Sequence, residues 1–136
     1  MAALDTNVLV RFLVDDDEAQ AVSARKFIRK AAIEGETLFI PVTVVLELEW
    51  VLRSSFGFAK AEIMRTLSSL LSAIELTLES EDALELAIVL YQQGAADFSD
   101  CLHVALAGRA GERPLWTFDR SAAKLQGARL LAAADA

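Results

Sequence analysis

The sequence predicts a single doubly wound α/β/α domain, in which a mostly parallel sheet of about five strands lies between layers of helices. Short apolar segments alternate with longer segments of 3.6-residue periodicity through almost the whole chain. Helix-length connections between strands are typical of parallel sheets covered on both faces. The chain has 136 residues, enough for one core and too few for a second of similar size, so one domain is expected to span residues 1–136.

Each predicted strand is a short run rich in branched or aromatic apolar residues, and Pro41 and Pro114 each stand beside one of these runs. The predicted strands are 2–4, 37–41, 73–78, 115–118 and 129–131. A helical turn is predicted at 8–10, and the longer predicted helices are 17–34, 42–55, 59–71, 80–92, 98–109 and 120–126. Two helices between the second and third strands form an extra helical hairpin. In such folds, functional side chains collect at the carboxyl ends of the strands.

Composition excludes several classes of protein. The chain has 20 acidic and 13 basic side chains, a formal charge of −7, which argues against a uniformly basic nucleic-acid-binding module but allows a local basic patch. Its single cysteine, Cys101, cannot form an internal disulfide or a cysteine-rich metal site. No signal peptide or membrane-spanning run is visible, so a cytoplasmic protein without membrane contact is expected. The 54% apolar content suggests some surface buried against another chain.

Two aspartates follow predicted strands directly and precede helical segments. Asp5 comes after the run 2–4, and Asp119 comes after the run 115–118. Each can be a helix N-cap, a role worth about 1 kcal/mol. If their strands are neighbours, however, the two carboxylates lie close together and repel each other unless a cation stands between them. The pair therefore suggests either two caps or part of a metal site.

Asp97 and Asp100 lie at the entry to the helix predicted at 98–109. Asp97 or Ser99 has the better position for the N-cap, so Asp97 is expected to cap the helix or support the site rather than to ligate a metal directly. Asp100 falls in the first turn, where the helix dipole favours an anion.

Two glutamates on the helix predicted at 42–55 are expected to differ. Glu47 has Val44 and Trp50 among its helical neighbours, which places it on a largely apolar stripe. A carboxylate there either protonates or needs a cation or a strong hydrogen-bond donor opposite it. Glu49 has Arg53 four residues on, the spacing of a solvent-exposed ion pair, so Glu49 is expected at the surface.

A doubly wound fold can bring Asp5, Glu47, Asp100 and Asp119 to one pocket. Ligation by oxygen alone suits Mg²⁺ or Mn²⁺ rather than zinc. A hard divalent ion in an acidic pocket serves phosphoryl transfer or phosphodiester hydrolysis, because it neutralises the phosphate and activates a water molecule. One ion is sufficient for this chemistry, and two are compatible with it.

Four short motifs carry a family resemblance when they are taken together in this order. They are Leu4-Asp5-Thr6-Asn7, Glu47-Leu48-Glu49-Trp50, Ala96-Asp97-Phe98-Ser99-Asp100 and Thr117-Phe118-Asp119. In order and spacing the set resembles the PIN-domain nucleases, and its coverage of nearly the whole chain resembles the VapC-like ribonuclease toxins of toxin–antitoxin pairs. Each motif alone is short and weakly specific; the ordered set is more specific.

The resemblance implies a metal-dependent endoribonuclease whose acidic site comprises Asp5, Glu47, Asp100 and Asp119. It implies supporting roles for Asp97, Thr6, Asn7 and Thr117, and it leaves open whether Asp97 touches metal. It further implies a homodimer, inhibition by a small cognate antitoxin that fills the active-site groove, and contact with DNA only through that antitoxin.

An acidic pocket repels RNA, so phosphate contacts must come from basic residues elsewhere. The segment 25–30 holds four cations and no acid, and the segment 109–129 holds five basic groups against two acidic ones. Solvated helix faces are the favoured interpretation of both segments. Arg11 lies one helical turn after Asn7, close to the expected pocket. The candidate RNA contacts are Arg11, Arg25, Arg29 and Arg120.

Two other functions compete with the nuclease. A non-catalytic PIN-like interaction module would keep the fold without the reaction, although four intact acids disfavour it. A receiver-type phosphoacceptor domain is also small, acidic and doubly wound, but it needs paired acids after the first strand and an aspartate after the third. Here Asp5 stands without a paired acid and Leu76-Thr77-Leu78 offers no aspartate.

Overall fold

The computed structural model describes residues 2–14 and 19–132. The chain divides into two compact units, Met1–Glu79 and Ser80–Ala136, and each unit contains both helices and parallel strands. The predicted α/β class is therefore confirmed. None of the helices in the two described segments is long and apolar enough to cross a membrane.

The first unit begins with a short extended segment and continues with four helices and two strands. Thr6–Leu13 opens the helical part because Asp5 caps it, and Pro41 stands at the N-cap of the third helix with an extended backbone. The elements are α1 (Thr6–Leu13), α2 (Ala19–Ile33), β1 (Leu38–Ile40), α3 (Val42–Ser54), α4 (Lys60–Ser72) and β2 (Leu76–Leu78).

Three extended segments of the first unit run parallel. Strand β1 pairs with β2 in the register Leu38 to Leu76, and Ala3 forms a parallel bridge with Phe39 on the other side of β1. Leu38 and Ile40 are buried, as expected for a strand covered by helices on its faces. The carboxyl ends of these segments lie at one edge, and Asp5 follows the first of them.

The second unit contains three helices and a parallel pair of strands. Tyr91 and Phe98 pack edge to face across the first two helices, with ring centroids 5.4 Å apart. The third strand pairs in parallel with the fourth, Leu115 opposite Ala128. The elements are α5 (Glu81–Gln93), α6 (Phe98–Arg109), β3 (Leu115–Thr117), α7 (Arg120–Ala123) and β4 (Ala128–Leu130).

Among the described residues, the observed elements agree with the predicted ones except at their ends, and residues 17 and 18 of the helix predicted at 17–34 lie outside the described part of the chain. The turn predicted at 8–10 is a helix of eight residues, and the helix predicted at 120–126 ends at Ala123. Gly127 follows with φ of +97°, a left-handed backbone that glycine adopts without strain, and this turn leads the chain into β4. The five predicted strands correspond to five parallel extended segments, three in the first unit and two in the second.

Candidate active site

Asp5 lies at the carboxyl end of the first extended segment and caps α1. Its Oδ1 accepts a hydrogen bond from the backbone N–H of Val8 at 3.0 Å, so the capping role considered from the sequence is confirmed. The side chain is exposed. A carboxylate can accept several bonds at once, and one capping bond leaves it capacity to bind a cation.

Thr6 and Glu47 form the most direct link between two of the predicted site residues. The Oγ1 of Thr6 donates a hydrogen bond to Oε1 of Glu47, which joins the start of α1 to the middle of α3. Thr6 is only 6% exposed, so its hydroxyl is held by the surrounding core. The predicted supporting role of Thr6 therefore has a concrete form: it fixes one oxygen of the Glu47 carboxylate.

The burial predicted for the two glutamates of α3 is wrong in both cases. Glu47 is exposed, whereas Glu49 is only 2% exposed and pairs with Arg53, whose Nε lies 3.0 Å from Oε2 of Glu49. The reason is that Trp50, a neighbour of Glu47 on the apolar stripe, is itself 56% exposed. The expectation that Glu47 faces a strong donor holds nonetheless, since Thr6 supplies one.

Asp119 occupies the corresponding position in the second unit, between β3 and α7. Its Oδ1 accepts hydrogen bonds from the N–H groups of Ser121 and Ala122, at 2.8 and 3.1 Å. The Oγ1 of Thr117 accepts a hydrogen bond from the N–H of Asp119 at 3.0 Å. Thr117 thus fixes the backbone of Asp119, and the cap fixes its side chain.

Asp100 lies in the first turn of α6, near two other carboxylates. Partial burial raises the pKa of Asp100, the negative charges of Asp119 and Asp97 raise the same pKa further, and His103 opposes the shift. Like charges close to a carboxylate disfavour its ionised form. The second unit therefore gathers three acids whose mutual repulsion a cation would relieve.

Asp97 stands at the N-cap position of α6, but its side chain makes no capping hydrogen bond. The expected N-cap position of Asp97 is therefore confirmed, its side chain does not make the capping bond, and its supporting role stays a prediction. The backbone supplies the first turn of α6 instead, with the N–H of Cys101 donating to the carbonyl of Asp97 at 3.1 Å. The Asp97 carboxylate is exposed and contributes negative charge beside Asp100.

The carboxylates of the first unit and those of the second unit both have the donor chemistry that a hard divalent ion prefers. The predicted ligands offer oxygen only, and the repulsion around Asp100 is what a cation would remove. Within 2–14 and 19–132, no three carboxylate, imidazole or thiol groups already form a closed cage for an ion.

The predicted RNA contacts occupy different surroundings. Arg11 lies beside Asn7 in a groove of about 870 Å³ between α1 and α2, and its Nε donates to Oε1 of Gln20 at 3.3 Å. Arg25 is half-buried and donates to the carbonyl of Val14 at 3.4 Å. Arg29 and Arg120 are exposed.

Two further residues of the first unit lie beside predicted site residues or the helix that carries one, and the sequence did not single them out. Glu79 directly follows β2, and its Oε1 accepts a hydrogen bond from the N–H of Val42 at 2.7 Å, which holds the start of α3, the helix of Glu47. Its position just after a strand repeats the pattern of Asp5 and Asp119 and is the signal that could have found it. Phe27 lines the groove of Asp5 and Asn7, and no sequence pattern distinguishes it from a core phenylalanine.

Comparison with known proteins identifies relatives of this chain. The family model described as the PIN domain matches residues 2–128, which include parts of both compact units. A curated relative, "VapC ribonuclease" from Aquifex aeolicus (strain VF5), is 29% identical over 125 residues, which cover 92% of each chain.

Proposed function

The chain belongs to the PIN-domain family, and from this premise we propose that it is a divalent-metal-dependent endoribonuclease that hydrolyses RNA phosphodiester bonds. The observation that carries the proposal is the field of like charges around Asp100, which a divalent cation would neutralise. The similarity to a VapC ribonuclease along 92% of the chain supports RNA as the substrate. Membership of this family removes the support for a receiver-type domain.

Four acids are proposed as the metal-binding and catalytic residues, and Asp97 is proposed as a further ligand. When bound, one or two Mg²⁺ or Mn²⁺ ions neutralise the phosphate and lower the pKa of the attacking water. Asp100 contributes a carboxylate whose pKa is raised by partial burial and by the charges of Asp119 and Asp97, so a bound cation would favour its ionised form. The four acids are Asp5, Glu47, Asp100 and Asp119.

Supporting residues hold these carboxylates in place. Thr6 donates to one oxygen of Glu47, and Thr117 accepts from the backbone of Asp119. Asn7 is exposed and shares a groove with Asp5, where its amide can bind a water or a phosphate oxygen. Mutation of groups that hold metal ligands in place commonly lowers metal affinity or activity about 10- to 100-fold. These residues are therefore part of the proposed mechanism.

The similarity to a VapC ribonuclease is also the basis for a proposed biological role. We propose that it is the toxin of a toxin–antitoxin pair in the cytoplasm, that it forms a homodimer, and that a small cognate antitoxin inhibits it. Contact with DNA would come only through the antitoxin. A short gene for a DNA-binding protein immediately beside this one would support the assignment.

The test of the activity is RNA cleavage by the purified full chain, separated from any antitoxin. Cleavage is expected with Mg²⁺ or Mn²⁺ and is expected to stop with EDTA. The matched control is Asp100→Asn, which keeps the size of the side chain and removes its charge. Equal cleavage by the wild type and Asp100→Asn would show a contaminating nuclease, and no cleavage by either would favour a non-catalytic PIN-like module.

A further inference from the structure

The groove between α1 and α2 has the dimensions of a binding site. Its volume of about 870 Å³ falls in the range of pockets that enclose small organic ligands. The α1 wall presents Asn7, Val8 and Arg11, which share one helical face. Small side chains of α2, including Ser23 and Ala24, leave the space open.

Phe27 is the large aromatic side chain of this groove and is exposed. It is 53% exposed, whereas its neighbour Ile28 is completely buried. Helix α2 therefore turns Ile28 toward the core and leaves Phe27 on the wall of the groove. A flat aromatic surface in this position can stack on a nucleobase, and such stacking is the main sequence-tolerant contact of single-stranded nucleic acids.

The charge of α2 favours a polyanion. The helix contains four basic residues and no acidic one, and three of the four, Lys26, Arg29 and Lys30, are exposed. Phosphate groups gain from such a cluster. A ligand that offers both aromatic faces and negative charge is a single-stranded nucleic acid, because a duplex hides the faces of its bases.

The register of the two helices places Phe27 near Asp5. The Arg11–Gln20 hydrogen bond fixes one end of the groove, and only five residues separate α1 from α2, as in an antiparallel helix pair. At about 1.5 Å per residue, Asp5 lies roughly 9 Å from Arg11 and Phe27 roughly 10 Å from Gln20 along their helices. The aromatic side chain and the proposed catalytic carboxylate thus belong to the same end.

We propose that this groove binds a single-stranded segment of the RNA substrate and that Phe27 stacks on a base beside Asp5. This inference rests on the proposed ribonuclease function and names the residue that recognises the strand next to the reacting phosphate. Lys30 lies three residues after Phe27, near the same side of α2, and holds a flanking phosphate, with Lys26 one turn before Lys30. Phe27 is a specificity-determining residue, since stacking selects an unpaired base at this position.

The experiment measures binding without cleavage. The full chain carrying Asp100→Asn is titrated, with Mg²⁺ present, into a fluorescein-labelled single-stranded RNA of about 12 nucleotides, a length within single-strand site sizes. Adding Phe27→Ala is expected to raise Kd at least about fivefold. Phe27→Tyr is expected to keep the affinity, and Val22→Ala, an exposed apolar position of α2 outside the groove lining, serves as the control. A duplex of the same sequence is expected to bind more weakly than the single strand.

Three results would overturn the proposal: an unchanged Kd for Phe27→Ala, an equal loss for Val22→Ala, or wild-type affinity for Phe27→Leu. The last would mean that Phe27 offers apolar surface rather than a stacking platform, as a docked protein segment would require. The cleavage assay of the wild type separates the two proposals. Cleavage with Phe27-independent binding overturns only the groove, whereas Phe27-dependent binding without any cleavage overturns only the nuclease.

Discussion

The two compact units prepare their carboxylates in different ways. In the first unit, the hydroxyl of Thr6 holds Glu47, and the N–H of Val8 holds Asp5. In the second unit, Asp97 and Asp119 raise the pKa of Asp100 by repulsion, after a larger contribution from burial. Donors position both acids of the first unit and also Asp119 of the second, whereas the surroundings of Asp100 disfavour its ionised form.

From this difference we expect the position of a carboxylate and its affinity for a cation to depend on different neighbouring groups. Donors fix where a carboxylate oxygen stands but also satisfy part of its capacity to bind a cation. Repulsion between neighbouring carboxylates does not fix their positions, but it makes the binding of a cation more favourable. We therefore expect substitutions of supporting residues to matter most in the first unit, and substitutions that remove charge to matter in both.

The largest expected effect comes from removing single charges while keeping the caps. Asn is as good an N-cap as Asp, so Asp5→Asn and Asp119→Asn keep the hydrogen bonds to the starts of α1 and α7. Each is expected to lower kcat/KM for RNA more than about 100-fold, beyond the usual effect of groups behind metal ligands. Thermal unfolding checks that the fold is kept.

The matched control for these variants is Glu85→Gln, which removes an exposed acid from α5. It is expected to cleave RNA like the wild type. If Asp5→Asn and Asp119→Asn cleaved RNA as well as the wild type does, the two aspartates would be helix caps and nothing more.

Loss of the Thr6 hydroxyl is expected to have the next largest effect. Thr6→Val keeps the buried shape and removes the donor to Glu47, so Mn²⁺ affinity and cleavage are expected to fall about 10- to 100-fold. Thr6→Ser restores the donor and is expected to restore most of both. Failure of the Ser variant to recover would mean that Thr6 contributes packing alone.

For Glu47 and Glu49, the two glutamates of α3, we expect opposite effects on stability and on metal affinity. Glu49 is buried and bonded to Arg53, which is half-exposed, so Glu49→Ala is expected to lower the free energy of unfolding by about 1–2 kcal/mol in urea. Its Mn²⁺ affinity is expected to remain that of the wild type. Glu47→Gln is expected to do the reverse, losing metal affinity with little change in stability.

The smallest expected effect concerns pH. The pKa of Asp100 is raised in the fold, so its contribution to stability is fully present below the unfolded pKa of about 3.9 and is lost as pH rises through the folded pKa. Asp100→Asn is therefore expected to be more stable than the wild type at neutral pH by up to about 1 kcal/mol, and the difference should vanish in acid. Urea unfolding at several pH values measures this, and added Mg²⁺ should shrink the difference by stabilising the wild type.

Much of the fold could be predicted because strands and helices have separate periodicities. The residues that end strands were predicted for the same reason, since Asp5 and Asp119 stand at boundaries that sequence patterns mark clearly. The topology of a doubly wound fold then joined them with Glu47 and Asp100, which no local pattern links, and the family resemblance implied the same four acids. The prediction of one domain over residues 1–136 remains a prediction.

The errors arose where local patterns are ambiguous about exposure. Glu47 has apolar neighbours that lie at the surface, Trp50 among them, whereas Glu49 has the buried Val45 and Leu52 four residues before and three after it. An apolar stripe predicts which side chains share one face of a helix, but tertiary packing decides which face contacts the core. Phe27 was missed for the same reason, because an exposed phenylalanine and a core phenylalanine look alike in sequence.

The central claim is that the proposed acids bind a divalent cation needed for RNA cleavage. Calorimetric titration of metal-stripped full-length protein with Mn²⁺ tests it most directly. The wild type is expected to bind, and Asp100→Asn and Glu47→Gln are each expected to bind at least about tenfold more weakly, with Glu85→Gln unchanged. Equal Mn²⁺ affinity in the wild type, Asp100→Asn and Glu47→Gln would contradict the account.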